Sequence, residues 1–504
     1  MQGRAAAMDS TGNIYAIGSI GTNIKILKYN STGNIIWQRM DSLNADGMGI
    51  CAAADKNGNI YFTAEDLSLR IATLKYDSSG NRKWLKYYSA GSESRTNAMA
   101  IDYAGNIFIT GYGFLTYRYN YLTIKYNPQG DTLWTAIYNS PSTNGGSSAN
   151  AICIDLQNNV YVTGNSIIST RPEGDYLSIK YNSNGIQQWV ARYEGATHLG
   201  GTGESIIVDK FGYCYVSGIT EYDFNKLIIG TIKYASNGDS VWVRLYFPPI
   251  YHIYESGLNL LLDSSLNVYV SGRGSDTNHV GGCLRMIKYD KFGNLLWTTF
   301  DTCASILYSS VLDKYLNIYS TGATGYRFYN CEYNSSGNKI WSSYYPQNNP
   351  PFGSWTGFKL FLDNYNNLYI FGSSLDSSLL IKYAVLTNIN QTSENIVESF
   401  KLYQNFPNPF NPTTKIKFDI PALGSPLGSR SSFLNPINRV GAGGMCVLKV
   451  YDILGKEIET LVNEKLNPGT YEVTFNASQY PSGVYFYTLI SGEYKETKKM
   501  ILIK

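Results

Sequence analysis

The run Asp155-Leu156-Gln157-Asn158-Asn159-Val160-Tyr161, followed by Ile179-Lys180-Tyr181, Gly185 and Trp189, decides how this chain is built. Both halves recur in phase. The first half returns from Asp9…Tyr15 to Asp363…Tyr369, with Asp-to-Asp steps of 46, 47, 53, 54, 54, 50 and 50 residues. The second half returns as Leu27-Lys28-Tyr29…Gly33…Trp37 and onward to Tyr333…Trp341. A last copy, Ile381-Lys382-Tyr383, has no Trp after it. Self-similarity at a period of this length marks a repeat architecture, and the Asp string counts eight units.

Each unit divides into four short runs rich in β-branched and aromatic residues. In the fourth unit they are 149–155, 159–164, 176–182 and 187–193. Such runs suit pleated strands, and no helical-period stripe interrupts them. Asp-x-x-Gly/Asn-Asn and Tyr-Asn-x-x-Gly supply the capping side chains and positive-φ residues of tight turns. The residues two before each Asp, from Ala7, Ala53 and Ala100 to Phe361, are small or apolar, as a crowded inner strand requires. Four strands per unit predict the blade of a β-propeller, in an all-β chain of eight blades, with seven left open.

On these strings, residues 4–385 resemble the SBBP-type bacterial β-propeller repeat. Met1-Gln2-Gly3-Arg4 runs directly into an inner strand. The sequence therefore reads as starting inside a blade. A preceding segment is expected to carry a signal peptide and the fourth strand absent after Tyr383.

A net charge of +3 on 504 residues argues against a nucleic-acid partner. No apolar run approaches the ~18–20 residues of a membrane span. The seven Cys show no metal spacing, and Cys153 and Cys214 read as core. The three His, at 198, 252 and 279, fall in different units. No nucleophile, phosphate-loop or metalloprotease motif occurs. No catalytic residue, metal site or cofactor is expected, and each repeated Asp reads as a turn cap.

Beyond the repeat, 386–400 reads as a polar linker. Residues 401–504 then alternate short strands with Pro, Gly and Asn turns, as a small immunoglobulin-like sandwich does. The segment from Tyr403 to Pro421 and the ending from Gly483 to Lys504 resemble the C-terminal sorting domain (type A) of type IX secretion cargo. The resemblance implies recognition by the outer-membrane secretion machinery, removal on export, and a sorting signal at Gly483, Tyr485, Lys499 and Lys504. Residues 422–445 read as a low-complexity loop insertion.

Turns one-to-two and three-to-four of each blade share one face. The opposite face is expected to carry long variable loops, where ligands bind rigid scaffolds. Aromatic residues there mark a candidate binding surface: Tyr117, Arg118, Tyr119, Tyr251, His252 and Trp355. Each repeat Lys is expected near the Asp of its own blade, except in blade seven, where Glu332 stands in its place. Three readings stay open. The first is a secreted or surface-attached binding scaffold for a glycan or protein. The second is a secreted polysaccharide lyase or glycoside hydrolase, and the third a structural or adhesive surface component.

Overall fold

The computed structural model describes residues 2–43, 51–139, 146–168, 171–195, 200–223, 226–247, 252–276, 279–301, 306–324, 327–346, 356–363, 366–373, 378–383, 389–393, 397, 399–421, 444–466, 468–477 and 480–504. They form two compact units, 1–383 and 384–504.

The first unit holds eight antiparallel sheets, each following chain order. Seven have four strands; the last, built from Thr356–Leu362, Leu368–Ser373 and Ser378–Tyr383, has three. The first strand of each sheet neighbours the first strand of the next, and that of sheet eight neighbours Gln2–Met8 of sheet one. A succession that returns to its start is a closed ring, so this is an eight-bladed propeller with the first strands innermost. At the seam, Phe371 of blade eight packs with Ala6, Ala16 and Leu27 of blade one.

The repeated residues explain the closure. Each Asp staples its own turn. In blade four, Asp155 Oδ1 accepts from the Gln157 and Asn159 amides, and Oδ2 accepts from Asn159 Nδ2 and the Tyr161 hydroxyl. The other two signature residues reach across to the next blade. Lys28 Nζ and Trp37 Nε1 both donate to the Ser78 carbonyl at 3.0 Å. Lys125 and Trp134 likewise share the Ser183 carbonyl. In every blade but the seventh the acceptor is in the next blade's three-to-four turn. The Gly of that turn lies flat on the same Trp: a Cβ on Gly185 would stand 2.6 Å from the Trp134 ring.

The expected Lys–Asp pairing takes a different form. Each repeat Lys lies over the aromatic ring of its own blade, 4.6–5.2 Å from the centroid. Where that ring is Tyr, its hydroxyl donates to the Asp Oδ2 of the same blade. Burial holds Lys75, Lys125, Lys233 and Lys288 below the ordinary lysine value, and the Asp of the same blade partly offsets this. Blade seven departs as its sequence suggested. Its Glu332 accepts from Tyr319, and Trp341 stacks on Tyr383 at 5.6 Å instead of reaching a turn.

The second unit is a sandwich of two four-stranded sheets. One orders Ile389–Ser393, Gly469–Asn476, Thr413–Ile420 and Lys401–Leu402. The other orders Glu457–Leu466, Gly444–Tyr451, Gly483–Ser491 and Tyr494–Leu502. Phe418, Val473, Leu448 and Leu489 close the core between them. Residues 389–393, read as linker, form an edge strand, because Ile389 pairs with Val473 along the sheet. The expected insertion at 422–445 lies outside the described residues up to 443, and a strand already begins at Gly444.

Candidate functional sites

The turns joining second and third strands are not the long loops expected. In six blades the two strands leave only two residues between them. Length varies instead in the hairpin arms, whose β-rich sequence simply continues the ladder. The third strand runs from six residues in Ile71–Tyr76 to eleven in Arg171–Tyr181.

Blade three shows this best. Ile107–Leu115 and Arg118–Tyr126 stay paired up to Leu115 and Arg118, leaving Thr116 and Tyr117 as the turn. Both have positive φ, 48° and 65°. Two such residues match the twist of a hairpin, but the position suits Asn-Gly rather than a β-branched Thr and a bulky Tyr. Tyr117 is 95 % exposed. Below the tip, Tyr119 meets Tyr112 and Phe114 edge-on, both at 4.9 Å. Glu93, from the link after blade two, ties the phenols together. It accepts from Tyr112 at 2.8 Å and Tyr119 at 3.4 Å. Burial and Glu93 push the Tyr112 phenol up to about 12. Arg95, on the inner strand, sits 3.6 Å from Glu65 of blade two. Sequence pointed to Tyr117, Arg118 and Tyr119, which this hairpin brings together. It missed Glu93, Arg95 and Glu65, since nothing in the repeat marks a link residue as a partner of the next hairpin. Tyr251 and Trp355 lie outside the described residues, and for His252 only the backbone strand is described.

A second set lies on the inner strands. Asn97 and Asn150 occupy β-bulges at equivalent positions of blades three and four. Each donates to a carbonyl of the next blade, Ala149 and Gly203. Blade five has Glu204 at this bulge. A carboxylate cannot donate as an amide does, and burial pushes it up to about 7. Among the described residues no group of three or more metal-ligating side chains converges.

In the sandwich, Tyr485 is buried and donates to the Pro481 carbonyl at 2.7 Å. Gly483, Lys499 and Lys504 are exposed. The last strand is zipped to Phe410, whose N–H bonds Ile501 and whose carbonyl accepts from Ile503. The turn Asp452–Gly455 holds Ile453 and Leu454 out in solvent, at 71 % and 88 % exposure.

Residues 404–504 match the family of secretion system C-terminal sorting domains. The chain is thus exported by the type IX route, to the cell surface or released. None of the curated proteins matches this chain. Among solved structures, Sqt1 from Chaetomium thermophilum aligns over 76 % of this chain and 96 % of its own, at 10 % identity and a TM-score of 0.50, a likeness of fold alone. The β-propeller domain of the Trilobed protease from Pyrococcus furiosus aligns over 68 % and 94 %, at 6 % identity and a TM-score of 0.41. PorZ, a surface component of the type-IX secretion system of Porphyromonas gingivalis, aligns over 100 % and 81 %, at 10 % identity and a TM-score of 0.23. No helix among the described residues is long and apolar enough to cross a membrane.

Proposed function

We propose that the propeller works outside the cell as a binding scaffold of the SBBP type, taking a glycan or protein at the hairpin face through Tyr117, Arg118 and Tyr119. The observation that carries this reading is the blade-three tip. A Thr-Tyr pair is held in a conformation that favours Asn-Gly, with the Tyr ring in solvent. Residues kept where they cost about 1–3 kcal/mol belong to sites selected for something other than stability. The Glu93 clamp and the edge-on Tyr112–Tyr119–Phe114 cluster hold the ring surface rigid, which lowers the entropy lost on binding. Glycan and peptide arrays probed with the full chain test this. Retention should fall at least tenfold in the Tyr117→Ala/Tyr119→Ala double variant. Equal retention would refute the assignment.

Gly483, Lys499 and Lys504 serve in this reading as contacts for the export machinery, while Tyr485 acts from the core. Deleting 401–504 should leave the protein in the periplasm, and Lys499→Glu should slow export while leaving the melting temperature unchanged.

A further inference from the structure

Eight copies of one blade allow each position to be compared with its equivalents, and departures in two facing turns meet at one junction. The position four residues after the turn Asp is asparagine in seven of eight blades, from Asn13 to Asn367, and its amide donates to that Asp each time. Blade five has Tyr213 there, 36 % exposed, so Asp209 forgoes this bond. The facing turn of blade six departs too. Its second and third residues are Lys291 and Phe292, where the other turns place Ser or Pro and then a polar residue, as in Ser183-Asn184. Phe292 is 65 % exposed.

These departures line one groove of about 610 Å³, between blades five and six on the short-turn face. Its walls carry the rings of Tyr213, Trp242 and Phe292 and the cations Lys233, Lys291 and Arg244. Lys233 lies 4.4 Å over the Tyr213 ring and donates to the Lys291 carbonyl, while Arg244 donates to the carbonyls of Gly293, Phe292 and Val243. Those acceptors are neutral, and Asp209 attracts only the buried Lys233. No carboxylate lines the groove, and none of the three cations forms an ion pair among the described residues. Asp290 at the start of the turn is occupied by the Phe292 and Asn294 amides. Burial holds Lys233 below its ordinary value, Asp209 partly offsets this, and the Lys291 charge adds to the lowering.

We infer that this groove is a second binding site, distinct from the blade-three hairpin, that takes an anionic polysaccharide. Uronate or sulfate groups would meet the exposed Lys291 and the half-buried Arg244, with the buried Lys233 adding its charge from beneath, and sugar faces would lie on Tyr213 and Phe292. The main chain of the turn is already spent on Trp242, Lys233 and Arg244. What remains is ring surface and positive charge, which suits a sugar chain better than a peptide seeking backbone partners.

The test reverts the groove to the repeat: Tyr213→Asn, Lys291→Ser and Phe292→Ser in the full chain. The Asn restores the turn bond made in seven other blades, so the variant should melt at or above the parent temperature. Polygalacturonate or chondroitin sulfate in a native gel should retard the parent, a neutral galactan should not, and the reverted chain should bind at least tenfold more weakly. Tyr117→Ala/Tyr119→Ala should leave this retardation unchanged, which separates the two sites. Absence of retardation by both polyanions, equal retardation of the reverted chain, or stronger binding to poly-L-glutamate than to either polysaccharide would each overturn the inference.

Discussion

Single residues set the spacing between blades, and two of them make quantitative predictions. Gly185 has φ +80° and lies against Trp134, whereas Gly33 has φ +87° and nothing within 4 Å, because blade eight offers no Trp to cover it. Left-handed backbone costs a non-glycine residue about 1–2 kcal/mol. Gly33→Ala should lose only that much. Gly185→Ala must also displace the indole, and in chemical denaturation it should lose about 1–3 kcal/mol more. Equal losses would mean that the turn, not the ring contact, selects glycine. Glu204 is the second case. Its folded value, about 7, lies above the ordinary glutamate value. Its contribution is therefore complete below about pH 4.5 and is lost as the pH rises through 7. Glu204→Gln should match the parent at pH 4 and exceed it by on the order of 2–3 kcal/mol at pH 8. A gain independent of pH would point to packing instead.

The hairpin is the element that carries variation. Replacing Thr116-Tyr117 by Asn-Gly keeps the turn and removes the strain, so the chain should gain about 1–2 kcal/mol while losing ligand retention. A variant that gains stability and still binds would separate the tip from the site. The hairpin also shows what sequence could and could not say. The Asp and Lys-Tyr strings exposed the four-strand unit and its short turns, because those are local and periodic. They did not expose the arm lengths: alternation continues through Phe114, Leu115 and Tyr119 with nothing to mark where strand gives way to turn. Nor did they show that Trp134 and Lys125 serve the next blade, since their acceptor Ser183 lies 49 and 58 residues away. The edge strand at 389–393 was hidden for a similar reason: its polar sequence reads as linker until Val473 pairs with it.

Across the whole molecule the core is phenolic. The largest fully buried side chains among the described residues are all Tyr, with Tyr487 in the sandwich and the rest in the propeller. Burial pushes Tyr126 up to about 12 and holds Tyr61, Tyr161 and Tyr181 higher still. A raised phenol stabilises fully below its unfolded value of about 10, and that contribution disappears as the pH climbs through the folded values. The buried phenols should therefore ionise only together with loss of circular dichroism, in a steep step near or above about pH 12 that follows the titration of the exposed ones. Complete phenolate absorbance with the circular dichroism intact would contradict this.

The bonds that the repeat Lys and Trp make between blades all point the same way around the ring, while Arg82 and Lys339 donate backwards, to Asp41 and Asp301. Lys and Trp give, and the turn of the following blade receives. The assembly thus has a direction, like a row of people each holding the shoulder of the one ahead. A fault in a turn is felt by the blade behind it, whose donors lose their acceptor, and hardly at all by the blade in front. The Gly185→Ala lesion should accordingly speed amide exchange in blade three more than in blade five. A ring with eight similar parts has, in this sense, an upstream and a downstream.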